Sequence, residues 1–306
     1  MNLRDLKYLV AVADHLHFGK AADAVFISQP TLSGQIKKLE ERLQVTIFER
    51  TTRGVNITPI GEKIIAEARQ TMAHAQNIEN LAANQSGVLC GELRLGIIPT
   101  IAPYLVPHFL SQALADYPKL TLSLHEDKTE TLYAMLDNFT IDAAIIATEI
   151  PPENIEEIEL YRESFLLLCP TTHPLSNKSC IEAQDINPKD LLLLPEGHCL
   201  RDQTLELCKL SNEELSGQAD LRDAGLQTVI ELVRGGRGYT FLPKLATNNL
   251  NDQTGSVALK RFSPKPERVV RLIFRKSFPR KSCLKALAKL ISSAPSLAKD
   301  LASKLQ

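Results

Sequence analysis

Apolar residues recur at helical spacing along the first sixty positions. Leu3, Leu6, Leu9, Val10 and Val12 mark one short helix. A second runs through Gly19–Phe26, where Ala21 and Ala22 let another helix cross closely. Ser28 then offers an N-cap, and Gln29-Pro30 falls in a first helical turn, where proline costs little. The helix beyond carries Leu32, Ile36, Leu39 and Leu43 on one side and Thr31, Ser33, Gln35, Lys37 and Lys38 on the other. Two short helices, the second with a polar face, predict a helix-turn-helix, whose second helix places its N-terminal residues at base edges in the major groove. Periodicity alone also fits a plain helical hairpin with a solvated face.

Thr58-Pro59 opens a long helix, with Ile60, Ile64, Ala68, Met72, Ala75 and Leu81-Ala82 forming one stripe up to about Ser86-Gly87. Such a helix is roughly 40 Å long. Alone it would leave the stripe exposed, so pairing with a second chain is expected. From Gly91 the pattern changes to short strands alternating with helices. Strands are expected at Glu92–Ile98, Leu120–Leu124, Asp142–Ala147, Ser164–Cys169, Leu191–Leu194, Thr240–Leu242 and Val269–Phe274, and helices at Ala102–Tyr117 and Leu226–Gly235. The alternation predicts an α/β domain. Gly235-Gly236-Arg237-Gly238 follows a helix and precedes a strand, the wrong order for a phosphate loop, and reads as a C-cap and turn.

Composition adds bounds. With 306 residues, 44% apolar and 23% charged, the chain has the make-up of a soluble globular protein with more than one folding unit. Its apolar runs are too short to span a bilayer, and Met1–Asp5 lacks the design of a secretory signal, so a cytoplasmic location without a membrane partner is expected. The net charge of −1 gives no global hint of a partner, although Lys260–Gln306 holds thirteen Lys and Arg against Glu267 and Asp300, which reads as a solvated helical face. The six cysteines form no CxxC pair, so no metal and no cofactor is expected.

Two of those cysteines stand out. Cys199 has His198 before it and Arg201 two places after it, cationic neighbours that favour thiolate. Gly197 reads as a turn and Cys199 as the opening of a helix, whose N-terminus also stabilises an anion. Cys208 lies nine residues on. If the intervening segment is helical, the two Cα atoms are about 13 Å apart, whereas a disulfide tolerates about 7 Å. The pair then bonds only if the local structure is dismantled, as a switch rather than a staple. Cys90, Cys169 and Cys283 read as structural, and Cys180, close to Lys178, as a bystander.

Sequence detail goes beyond periodicity. His17–Ala22, Ser28–Glu40 and Leu43–Gly61 closely resemble the signature of LysR-type transcriptional regulators. The resemblance implies a winged helix-turn-helix over residues 1–58, a linker and dimerisation helix over 59–88, and a two-lobed regulatory domain similar to periplasmic binding proteins over 89–306. Lobe I would comprise 89–162 and 268–306, and lobe II 163–267. Residues toward promoter DNA, with its pseudo-palindromic half-sites, would be Ser28, Gln29, Pro30, Thr31, Ser33, Gln35 and Lys37, with Arg50 and Arg53 of the wing on phosphates or the minor groove. Gly197–Asp202, Gly96–Thr100 and Leu124–Thr129 narrow the likeness to the OxyR-type hydrogen-peroxide sensors, and Gly34 suits that branch.

This second likeness implies that Cys199 is the peroxidatic and Cys208 the resolving thiol. Thr100, Thr129, His198, Arg201, Asp202 and Arg268 would bind or assist the peroxide. Each threonine also precedes a helical segment and is equally suited to cap it. Position 218, where some relatives carry histidine, is Gln218 and is assigned no role. The implied partners are a second copy in a homodimer or homotetramer, RNA polymerase, and a glutaredoxin- or thioredoxin-type reductant. The rival readings are a LysR-type regulator answering a small metabolite in the inter-lobe cleft, and a thiol peroxidase. The latter leaves residues 1–60 unexplained, so no enzyme is expected.

Overall fold

The computed structural model describes residues 1–51, 54–83, 89–149, 154–211, 224–250 and 255–302. Arg53 and Gln218 lie outside the described residues, as does the side chain of Arg50. The chain divides into two compact units, Met1–Ser86 with Asp137–Thr140, and Gly87–Leu136 with Ile141–Gln306.

In the first unit, α1 (Leu3–His15) starts on a capping box between Asn2 and Asp5. Helices α2 (Phe18–Ala24) and α3 (Gln29–Leu43) follow, and Ser28 caps α3 by accepting the N–H of Thr31 at 3.3 Å. Leu9, Val12, Ala21, Leu32 and Ile36 close the core between them. A hairpin of β1 (Phe48–Thr51) and β2 (Gly54–Ile57) forms the wing. Glu40 of α3 anchors it, its Oε1 accepting from the backbone N–H groups of Ile47 at 2.7 Å and Phe48 at 3.0 Å. Next comes α4 (Pro59–Ala83), capped by Thr58. Gly61 is required there, because a Cβ would stand 2.5 Å from the Ile47 carbonyl oxygen.

The apolar stripe of α4 differs from the one expected. Ala68, with its neighbour Ile65, is buried in this unit's own core, and Ile64 and Met72 pack partly against it. Ile60 and Ile78 stay exposed, at 45% and 69%. The reason is that α1 lies along α4 and consumes much of the stripe.

The second unit runs β3 (Gly91–Ile97), α5 (Ala102–Asp116), β4 (Leu120–Glu126), α6 (Thr129–Asp137), β5 (Ala143–Ile146), β6 (Ile155–Pro170), β7 (Cys180–Ile181), α7 (Cys199–Cys208), α8 (Leu226–Arg234), β8 (Thr240–Pro243), β9 (Val257–Phe262), β10 (Glu267–Arg275), α9 (Lys281–Ser292) and α10 (Pro295–Ala302). Strands β4, β3 and β5 are parallel neighbours, and β10 lies antiparallel between β5 and β6. Strand β6 leaves β10 at the Ser164↔Glu267 pair and continues alongside β8 and β9. It thus passes from one lobe to the other, with Glu163 opposite Arg268 at the crossing.

Three expectations are corrected. Leu191–Leu194 is buried and extended but makes only one parallel bridge, Leu191↔Tyr239, because Pro195 turns the chain away after it. The strand expected at Ser164–Cys169 begins at Ile155, its first half disguised by outward-facing acidic residues such as Glu157 and Glu159. The basic C-terminal stretch is not a uniformly solvated face. Arg268, Arg275 and Arg280 are buried, Arg275 donating to the Ile141 carbonyl and Arg280 to the Cys90 carbonyl, both at 2.8 Å.

Candidate redox site and nucleic-acid interface

Helix α7 starts on Cys199 and ends on Cys208, and both thiols are free and buried. The ends of a continuous ten-residue helix hold the two Cα atoms about 13 Å apart, so the condition for the switch geometry is met in the reduced chain.

Cys199 faces a polar cluster built from both lobes. Arg268 of β10 is its centre. Its Nε and Nη2 donate to Glu163 Oε1 at 3.0 and 2.8 Å, Nη1 donates to Thr100 Oγ1 at 3.2 Å, and Nη2 donates to the Thr100 carbonyl at 3.2 Å. The other oxygen of Glu163 accepts the N–H of Leu245 at 2.9 Å, and the Phe165 ring lies 5.7 Å from the guanidinium carbon. This ion pair is about 1% exposed on each side.

Burial pushes the Cys199 thiol above its ordinary pKa. Arg268 opposes that shift most strongly, with smaller help from the Leu200 N–H and a hydrogen bond from Thr100, while Asp202 adds to it. The cationic help therefore does not come from the sequence neighbours, as expected. Burial, then the Lys128 ammonium, holds the His198 pKa down and keeps the ring neutral, and Arg201 donates to the Leu194 carbonyl at 3.1 Å. Asp202 is raised by burial against the pull of Arg201. Burial pushes Cys208 to about 12, so it is an inert thiol while α7 is intact.

Neither threonine caps a helix. The cap position of α5 is Ile101, and the Thr100 hydroxyl instead accepts from Arg268 and gives a small downward pull on the Cys199 pKa. Thr129 is the first residue of α6, and its hydroxyl is buried without a hydrogen-bond partner. Beside Cys199 and Arg268 opens a cleft of about 700 Å³, lined also by Phe165, Asp202, Gln203 and Glu206. Among the described residues, no group of three or more His, Cys, Asp or Glu side chains is placed to hold a metal ion.

In the first unit, Gln29, Pro30, Thr31 and Lys37 are exposed on α3, while Ser33 and Gln35 are half-buried. The Ser28 hydroxyl is within 2.7 Å of that of Thr31. A Cβ on Gly34 would meet nothing within 4 Å, so no contact inside the chain requires glycine there.

Two family models cover almost the whole chain. The bacterial regulatory helix-turn-helix protein of the lysR family matches residues 3–62, and the LysR substrate binding domain matches residues 86–295. The DNA-binding transcriptional dual regulator OxyR of Escherichia coli K12 is 38% identical over 291 residues, covering 95% of each chain. The chain belongs to the LysR family, in its OxyR branch. A full-length OxyR cysteine-to-aspartate variant from Pseudomonas aeruginosa superposes with a TM-score of 0.78 at 37% identity, covering 96% of this chain and 98% of that one. A hydrogen-peroxide-bound OxyR mutant from Corynebacterium glutamicum gives 0.67 at 33% identity, covering 98% and 94%.

Within this OxyR-type chain, the structure brings Cys199, Thr100 and Arg268 together, with His198, Arg201 and Asp202 on the turn and helix around the thiol. Three contributors were missed from sequence: Glu163, Lys128 and Gln203. Glu163 stands two residues before the apolar run Phe165–Leu168, but as one of four glutamates in β6 it did not stand out from the exposed ones. Lys128 donates to the Glu196 carbonyl at 2.8 Å, and Gln203 to the Ala147 carbonyl at 2.6 Å. Backbone acceptors leave no trace in side-chain pattern, so neither residue was legible. Among the described residues no helix is long and apolar enough to cross a membrane.

Proposed function

We propose that this LysR-type regulator senses hydrogen peroxide through Cys199 and reports it by a reversible Cys199–Cys208 disulfide that alters its hold on promoter DNA. The observation that carries the reading is one helix bearing a reduced cysteine at each end, the first lining the same cleft as the buried Arg268 cation. Cys199 sulfur attacks one peroxide oxygen, the O–O bond breaks, and the thiol proton leaves with the departing oxygen as water, giving a sulfenic acid. Arg268 and Thr100 stabilise charge that develops as the thiol ionises and the bond breaks. Thr129, with its unpartnered hydroxyl, and His198 and Asp202 are assigned to hold peroxide and move its proton, and Arg201 to hold the approach segment.

Cys208 becomes nucleophilic only when α7 opens and the thiol leaves its buried site. Its attack on the sulfenic sulfur releases a second water and closes a loop of about ten residues, worth roughly 2–3 kcal/mol in the chain-entropy model. That is of the size of typical couplings between sites. The switch acts on a dimer or tetramer joined through α4, whose exposed Ile60 and Ile78 remain to be covered. The recognition surface is Ser28, Gln29, Pro30, Thr31, Ser33, Gln35 and Lys37, with Arg50 and Arg53 on the wing. RNA polymerase reads the outcome, a dithiol reductant of glutaredoxin or thioredoxin type resets it in the cytoplasm, and no catalytic turnover is involved.

Stoichiometric peroxide should give a single Cys199–Cys208 crosslink by peptide mass mapping, together with a changed DNA footprint. A footprint that instead answers a small metabolite under fully reducing conditions, with no crosslink, would replace the proposal. The raised Cys199 pKa has a kinetic consequence. Below its pKa, thiolate is the minor form and grows about tenfold per pH unit. The rate of Cys199 oxidation should therefore climb with a slope near one between about pH 6 and 8, and a flat stopped-flow profile would show the thiol already ionised.

A further inference from the structure

Helix α7 is tied to the opposite lobe at its N-terminal end. The ties include the Gln203–Ala147 hydrogen bond and the hydrogen bond from Lys128 to Glu196. The last is built with care on both sides. Asp127 holds its turn by accepting the Lys128 N–H at 2.7 Å, just ahead of α6. Gly197 makes room opposite: its φ is +85°, and a Cβ there would stand 3.0 Å from Lys128 Cδ and 3.4 Å from Nζ. The lysine stem therefore lies across the turn that delivers Cys199, and its ammonium clasps that turn by a backbone carbonyl.

We propose that Lys128 is a positioning residue, a latch on the Glu196-Gly197 turn that favours the dithiol state and so sets the redox midpoint of the switch. The inference rests on the disulfide reading above. Bringing the cysteine Cα atoms from about 13 Å to within about 7 Å requires one end of α7 to travel about 6 Å. The Cys208 end is folded into the second lobe, with Lys209 in a left-handed cap and the Leu210 N–H bonded to the Leu205 carbonyl at 2.9 Å. The Cys199 end follows a glycine turn and is held by contacts across the cleft. If that end moves, the latch breaks on oxidation and exists only in the reduced chain.

The test is an equilibrium of the full-length protein with mixtures of reduced and oxidised dithiothreitol, in which two electrons and two protons pass between the reagent and the Cys199–Cys208 pair. Lys128→Met should shift the equilibrium toward the protein disulfide about three- to tenfold, the worth of one partly exposed hydrogen bond. At 29.6 mV per tenfold, the midpoint becomes about 15–30 mV more negative. Lys128→Arg, which keeps a donor on a long stem, should restore it to near the parent value. An unchanged Lys128→Met midpoint overturns the latch and means that the Cys208 end moves instead. An Arg variant displaced as far as the Met variant also overturns it, by placing the effect in packing. A parent protein that forms no Cys199–Cys208 disulfide at all refutes the sensor reading itself.

Discussion

Cys199→Ser should abolish the peroxide response while leaving promoter binding at the reduced-state level. A serine hydroxyl is nearly the size of the thiol, so α7 stays wound and its ties across the cleft persist. What is lost is the nucleophile, because an alkoxide is not accessible to serine at this site. Cys208 cannot substitute, since burial pushes it to about 12 and it ionises only after α7 has opened. The fold should hold, with a cost of about 1–3 kcal/mol for burying the hydroxyl. Footprinting with and without peroxide, together with a promoter reporter, reads the result: one footprint in both conditions and a reporter at its unstimulated level. A variant that still switches would mean that another thiol, with Cys180 the first suspect, carries the signal. Cys208→Ser separates the steps, since it should still form the sulfenic acid but accumulate it uncrosslinked.

The helix-turn-helix was legible because Leu32, Ile36 and Leu39 repeat at helical spacing behind a capping serine, and every one of them is buried as that spacing requires. The alternation beyond Gly91 was equally readable, since β5 is four buried residues and β8 likewise. The failures share a cause. The length of β6 was hidden because strand pairing is non-local: its first half exists through β10, more than a hundred residues on. The cysteine pair was visible, but the source of positive charge was not. Sequence proximity nominated His198 and Arg201, whereas folding keeps the first neutral and turns the second to a backbone carbonyl. The charge that reaches the sulfur comes from Arg268, sixty-nine positions away, and its counter-ion Glu163 lies 105 positions from that arginine along the chain. A thiol's electrostatics is a property of the fold, and spacing along the chain is a poor guide to it.

Arg268 is thus both a structural ion and the group that moderates the thiol, and two variants distinguish these roles. Arg268→Met should cost about 3–5 kcal/mol of stability, because it leaves the Glu163 carboxylate buried with no counter-charge. The same change removes the strongest influence lowering the Cys199 pKa, so the thiol moves further up and its oxidation slows. Losing an aimed donor at a site of developing charge costs about 10²–10³ in rate. Adding Glu163→Gln removes the stranded carboxylate while keeping an oxygen to accept the Leu245 N–H. Most of the stability should then return, since replacing both members of a buried pair is often neutral. The oxidation rate should not return. Urea unfolding measures the first quantity and stopped-flow peroxide kinetics the second. A double variant that regains stability and also reacts within about threefold of the parent would show that Arg268 only braces the lobe crossing, and the sulfur would then owe its reactivity to Thr100 and the start of α7 alone.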